Sequence, residues 1–116
     1  MKIDSQQFDA ITVVKLLENR VDASKAPELK EYFHSLIERG QTLLCIDLSE
    51  VSFIDSSGLG ALVSVLKKVG QNGRIGLWGL SKEVKALFEL TQLYKIFDIF
   101  ENQEDAITKL KEHAAG

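Results

Sequence analysis

The most constraining feature of this sequence is a short, almost continuously apolar run at positions 43–48, with the sequence LLCIDL. The run is too short and too apolar for a surface helix, and it is typical of a central strand that is covered on both faces. The chain has 116 residues, a common size for one domain, and it shows no internal repeat or linker. We therefore expect a single α/β domain over residues 1–116.

Strand and helix patterns alternate along the rest of the chain. An opening hairpin is predicted from residues 2–8 and 11–17, and further strands are predicted at 75–80 and 95–100. Such alternation is typical of βαβ units with right-handed crossovers and a mainly parallel sheet. Residues 113–116 are expected to fray. The predicted helices are bounded by these cap or stop residues: Ser24, Gly40, Asp55, Gly70, Ser81 and Asn102.

The composition excludes several classes of partner. The formal net charge of −3 argues against a nucleic-acid surface, which would be basic. No apolar stretch approaches the roughly 20 residues that span a bilayer, and residues 1–9 do not resemble a secretory signal. We expect a cytoplasmic protein with no direct contact to nucleic acid or membrane. The single cysteine, Cys45, cannot form an internal disulfide and is predicted to be a core residue.

No combination of residues indicates an active site or a metal site. His34 and His113 share no ligand spacing with each other or with Cys45, and His34 is predicted to be a solvated helix residue. The motifs of phosphate loops, dinucleotide sites and nucleophile elbows are absent. The only acidic group next to Ser56 is Asp55, a carboxylate too weak as a base to activate a hydroxyl. The sequence thus predicts no catalytic residue, no metal and no cofactor.

The junction where the second predicted helix begins carries the most informative residues. Either Asp55 or Ser56 would serve as its N-cap. Gly58 and Gly60 do not fit that structural role alone, because each glycine costs up to about 1 kcal/mol in a helix relative to alanine. A phosphate on Ser56 would meet the positive end of the helix, and its charge of about −1.5 to −2 would change binding while the fold stayed the same. The residues alone leave both the cap and the switch open.

The stretch 51–62, VSFIDSSGLGAL, strongly resembles the STAS domain of the bacterial anti-sigma factor antagonists. Residues 20–22 resemble the exit of that family's second strand. Residues 84–88 and 93–97 resemble its third helix and its last strand, so the resemblance spans nearly the whole chain. It implies a mixed, mainly parallel sheet of about five strands with an antiparallel edge and about four flanking helices.

The resemblance also implies roles for individual residues. Ser56 would be phosphorylated by a serine kinase that is itself the anti-sigma factor, and a serine phosphatase would remove the phosphate. The unphosphorylated form would bind the kinase and release the sigma factor. A monomer or a weak dimer is expected. The resemblance places the partner-binding surface at these residues: Asp22, Asp55, Ser57, Gly58, Leu59 and Gly60.

One departure and two alternatives accompany this interpretation. The family often has Gly-Glu-Leu-Asp before its first helix, whereas this chain has Asn-Arg-Val-Asp at 19–22, which reverses a charge beside the predicted interface. The first alternative is that this chain is an accessory subunit of a transport complex, a role that some stand-alone STAS domains resemble and that needs the fold but no reversible phosphorylation. The second alternative keeps the switch and directs it at a phosphatase or a chemosensory kinase instead of a sigma-factor pathway.

Overall fold

A five-stranded sheet lies at the centre of the computed structural model, which describes residues 1–115. The strands are β1 (Ile3–Phe8), β2 (Ile11–Leu16), β3 (Arg20–Val21), β4 (Leu43–Asp47), β5 (Phe53–Ile54), β6 (Arg74–Trp78) and β7 (Asp98–Phe100). The helices are α1 (Ala26–Glu38), α2 (Ser56–Val69), α3 (Lys82–Leu90) and α4 (Gln103–Ala115). The main sheet has the order β1-β2-β4-β6-β7, and β1 is its antiparallel edge. This arrangement confirms the predicted fold class.

β4 runs through the middle of the sheet and is buried along its whole length. β2 and β6 pair with its two edges in parallel. Leu44 and Ile46 belong to the larger core, to which α1, α2 and α3 contribute, whereas Leu43 and Cys45 pack with residues of α4. The predicted strand covered on both faces is confirmed. Burial raises the pKa of the Cys45 thiol to about 12, so Cys45 is an inert core residue, as predicted.

Several predicted helix boundaries are confirmed by local geometry. The side chains of Ser81 and Asn102 each accept a hydrogen bond from the backbone N–H three residues further on, at 3.2 and 2.8 Å. Gly40 and Gly70 follow the ends of α1 and α2 with φ of +90° and +62°. Glycine adopts such angles without a steric penalty, which explains why both helices stop there.

Of two predictions about the first helix, one is wrong and the other is met only in part. Ser24 does not cap α1, because its hydroxyl donates instead to Asp22 Oδ1 at 2.6 Å and Lys25 takes the N-cap position without a side-chain bond. His34 lies on α1, as predicted, and is partly solvated. It is half-buried between α1 and α2, where its Nε2 lies 3.2 Å from Ser64 Oγ.

The C-terminal part of the chain also differs from the prediction. The strand expected at 95–100 begins only at Asp98, because Gln92 adopts a φ of +62° and Leu93–Lys95 form a 3-10 turn. Phe97 then packs edge-to-face on Phe88, with ring centroids 5.8 Å apart. Residues 113–115 are the last residues of α4, where a frayed tail was expected, and the remaining residue of the predicted tail lies outside the described residues.

Candidate functional site

The N-terminus of α2 is formed by an Asp55 cap, with Ser56 as the first helical residue. Asp55 has extended backbone angles, and its Oδ1 accepts a hydrogen bond from the Gly58 N–H at 2.9 Å. The side chain of Ser56 is exposed and makes no hydrogen bond within residues 1–115. The structure therefore assigns the cap to Asp55 and leaves the Ser56 hydroxyl free.

Asp55 also connects α2 to the loop that precedes α1. Its second oxygen, Oδ2, accepts from the Ala23 N–H at 3.2 Å. Neighbouring Asp22 accepts from the hydroxyl and the backbone N–H of Ser24, at 2.6 and 3.1 Å. The Ser24 hydroxyl bond is the main reason why the pKa of Asp22 lies below its ordinary value, with smaller contributions from the Ser24 N–H and the charges of Arg20 and Lys25. Two acidic residues that are distant in sequence thus lie at one site.

Gly58 allows α2 to approach the small parallel sheet formed by β3 and β5. A Cβ atom at this position would lie 2.5 Å from the carbonyl oxygen of Val21 and 2.7 Å from Cγ2 of Ile54. Backbone and side chain at those distances leave no room for a methyl group. Gly58 is therefore required by packing, and it fixes where Ser56 stands relative to β3.

The six residues expected at the partner surface divide into two groups. Ser57 and Gly60 are exposed, and Asp22 and Asp55 are half-buried. Gly58 and Leu59 are buried, which differs from the expectation of a contact surface, because both face β3, β5 and the core. The structure gives these two a positioning role beneath the site.

The exposed face of α2 forms one side of a groove that begins next to Ser56. The groove has a volume of about 390 Å³ and runs between α1 and α2. Ser57 and Gly60 line its α2 side, and Lys30 lies on its α1 side. A Cβ atom on Gly60 would meet nothing within 4 Å, so the helix backbone is accessible there.

The electrostatics at this helix end favour an anion. The backbone amides of Ser56 and Ser57 make no hydrogen bond within the described part of the chain. Free amides and the aligned peptide dipoles give the start of a helix a partial positive charge. Both Asp55 oxygens accept backbone N–H groups, so this carboxylate serves to hold the helix end and the loop before α1. The arrangement suits a hydroxyl that receives a phosphate better than one that attacks a substrate.

Sequence reasoning missed the pairing of β3 with β5. Arg20 and Phe53 are partners in this small sheet, and the Arg20 guanidinium carbon lies 4.2 Å from the centre of the Phe53 ring. The only sequence signal is that the apolar residues next to them, Val21 and Ile54, both precede a helix start. Strands of two residues are too short to show a period.

Residues 1–115 contain neither a metal-binding cluster nor a helix that could span a membrane. No group of three or more His, Cys, Asp or Glu side chains among them is placed to hold a metal ion. None of the helices in this part of the chain combines the length and the apolar character that crossing a bilayer requires.

Comparison with known proteins identifies the family. The family model of the STAS domain matches residues 2–106. The anti-sigma-B factor antagonist of Listeria monocytogenes is 34% identical over 100 residues, which cover 85% of this chain and 88% of the relative.

Solved structures agree with this result. The crystal structure of an anti-sigma factor antagonist from Mycobacterium paratuberculosis superposes with a TM-score of 0.86 at 26% identity, covering 95% of this chain and 93% of the other. The Bacillus cell fate determinant SpoIIAA in its phosphorylated form gives a TM-score of 0.71 at 20% identity, covering 93% and 98%, a likeness that shows the fold alone. The resemblance seen in the sequence is thus confirmed, and this chain belongs to the STAS domain family as a relative of the bacterial anti-sigma factor antagonists.

Proposed function

We propose that this protein is an anti-sigma factor antagonist that is switched by phosphorylation of Ser56. The observation that carries the proposal is that Asp55 and Ser56 have different roles at the start of α2. Asp55 satisfies the helix end, and Ser56 keeps an exposed hydroxyl with no partner within residues 1–115. The name of the Listeria relative supports the same function.

In its unphosphorylated form the protein binds an anti-sigma factor that is also a serine kinase, and this binding releases a sigma factor. The kinase transfers the γ-phosphoryl group of ATP to Ser56 Oγ, and ADP and a proton leave. A serine phosphatase later hydrolyses the phosphoserine to serine and inorganic phosphate.

The phosphate acts on binding and leaves the fold in place. It adds about −1.5 to −2 charges at neutral pH, and the positive end of α2 accommodates them. The same charge lies at the mouth of the groove between α1 and α2, next to Ser57 and Gly60. A partner that covers this groove would have to bury the phosphate, which is strongly unfavourable without compensating cations.

The remaining properties follow from this role. Residues 1–116 act as one STAS domain in the cytoplasm, as a monomer or weak dimer. The protein is a binding module and not an enzyme, since Asp55 is the only acidic group next to Ser56 in the sequence and a carboxylate is too weak a base to activate a hydroxyl. It needs no cofactor, and the net charge of −3 disfavours direct binding to nucleic acid.

Phosphorylation at Ser56 is tested with the purified anti-sigma factor kinase and ATP. We expect one phosphate per chain, which fragmentation mass spectrometry assigns to Ser56, and none on the Ser56→Ala variant. Ser35→Ala is the matched control, because Ser35 is an exposed serine of α1 away from this helix end. Equal phosphorylation of wild type and Ser56→Ala would contradict the proposal. Affinity capture that recovers a membrane transporter ATPase and no kinase-like protein would also contradict the proposal.

A further inference from the structure

We infer that Arg20 and Phe53 form a second anchor for the anti-sigma factor, one that binds a carboxylate of the partner. This inference rests on the proposed function and extends its contact surface from the α1–α2 groove to the opposite side of Ser56. Phe53 is three residues before Ser56, and it pairs with Arg20 across β3 and β5. The anchor therefore borders the phosphorylation site.

The small sheet separates a buried face from an exposed one. Val21 and Ile54 are 1% and 3% exposed and point into the core. Because side chains alternate along a strand, Arg20 and Phe53 point outward. Phe53 remains 40% exposed, although the guanidinium of Arg20 lies over its ring. Exposed aromatic residues and arginine are both enriched at protein interfaces, and arginine is among the residues that most often dominate their binding energy.

The guanidinium is exposed and still has free donors within residues 1–115. Its carbon lies over the Phe53 ring, whereas the nearest carboxylate oxygen in this part of the chain, Asp22 Oδ2, is 3.9 Å from Nε. That distance is too long for a hydrogen bond. A guanidinium presents parallel N–H groups that match the two oxygens of a carboxylate. The charge complementarity points to an acidic residue of the partner.

A groove beside Phe53 provides the apolar part of the contact. It has a volume of about 240 Å³ and lies between β5 and α3. Buried Ile54 and Val84 and half-buried Leu87 form its apolar lining, and Glu83 stands on its rim. The occupant is a segment of the anti-sigma factor with an apolar side chain for the groove and an aspartate or glutamate for Arg20.

The test measures the affinity of the full chain for the purified anti-sigma factor by titration calorimetry. We expect Arg20→Glu to weaken binding by about tenfold or more, and Phe53→Ala to weaken it by a similar factor. Arg20→Lys should weaken it less, since lysine keeps the charge and loses the planar fork. Wild-type affinity should also fall with added salt more steeply than that of Arg20→Glu, a readout that a purely structural role would not move.

Arg39→Glu is the matched control, because it makes the same charge change at an exposed site beyond the far end of α1. Thermal unfolding of each variant confirms that the fold is kept. If Arg20→Glu binds as tightly as wild type while Ser56→Asp binds weakly, the anchor is wrong and the proposed function stands. If the wild type does not bind the anti-sigma factor at all, both are wrong.

Discussion

The first and second turns of α2 each contain a glycine, and the two glycines have opposite surroundings. A Cβ atom on Gly58 would collide with the Val21 carbonyl oxygen, whereas a Cβ atom on Gly60 would meet nothing within 4 Å. The first turn is fixed by its packing on β3 and β5. In the second turn the helix backbone is exposed, and the fold does not require a glycine there. In this short motif the fold requires glycine at position 58. In our proposal, the partner requires glycine at position 60.

The largest effect is expected from Gly58→Ala, which tests the packed turn. The added methyl group must displace backbone of β3 or shift α2, so the free energy of unfolding should fall by about 2–3 kcal/mol. Urea unfolding followed by circular dichroism measures this change. An unchanged unfolding midpoint would mean that α2 moves away from β3 freely, and the contrast between the two turns would disappear.

Asp55→Ala tests the bond that holds the first turn to the loop before α1. The variant loses acceptors for two backbone N–H groups, so we expect a loss of about 1–2 kcal/mol in unfolding free energy and weaker partner binding. Asn102→Ala is the control, since it removes the side-chain cap of α4, which packs in the second core cluster and not with α1, α2 or α3, and should cost about 1 kcal/mol with partner affinity unchanged. Equal effects of both variants on partner affinity would contradict a special role for Asp55.

Gly60→Ala tests the open turn and should act in the opposite direction. Alanine favours a helix over glycine, so the unfolding free energy should rise by about 0.5–1 kcal/mol. Partner affinity should fall, because the new methyl group stands on the surface that the partner covers. Thr108→Ala, at an exposed position of α4, is the control for binding. A variant that is more stable and binds normally would show that the bare second turn serves no contact.

The smallest effect concerns the loop that Asp55 holds. The Ser24 hydroxyl lowers the pKa of folded Asp22 below its ordinary value of 3.8, so ionised Asp22 stabilises the fold at pH values above 3.8. This stabilisation should be lost as the pH falls through the lowered pKa. In Ser24→Ala the pKa should rise, which carbon-13 NMR titration of the Asp22 carboxyl group measures. An Asp22 that titrates at its ordinary value in the wild type would contradict this hydrogen bond.

The sequence predicted the elements whose signal is local. The apolar run at 43–48 and the stripe that includes Leu59 and Leu62 identified β4 and α2, because burial on a sheet or on one helix face dictates their pattern. Glycines and capping residues marked most helix ends, because positive φ angles and cap hydrogen bonds also depend on nearby residues.

The sequence alone could not predict contacts between residues that are distant along the chain. Asp55 and Ser56 are both favoured caps, and only the approach of Asp55 to Gly58 and Ala23 decides between them. The position of His34 depends on Ser64, which lies on another helix. The prediction for Ser24 failed for a local reason, because the Asp22 carboxylate two residues earlier accepts the hydroxyl that was expected to cap α1.

The most direct test of the proposed switch compares the affinities of the unphosphorylated and the Ser56-phosphorylated protein for the purified anti-sigma factor kinase. We expect the phosphorylated form to bind about a hundredfold more weakly, because its added charge lies within the covered surface. Both forms should show the same circular dichroism spectrum. Equal affinity of the two forms would contradict the switch.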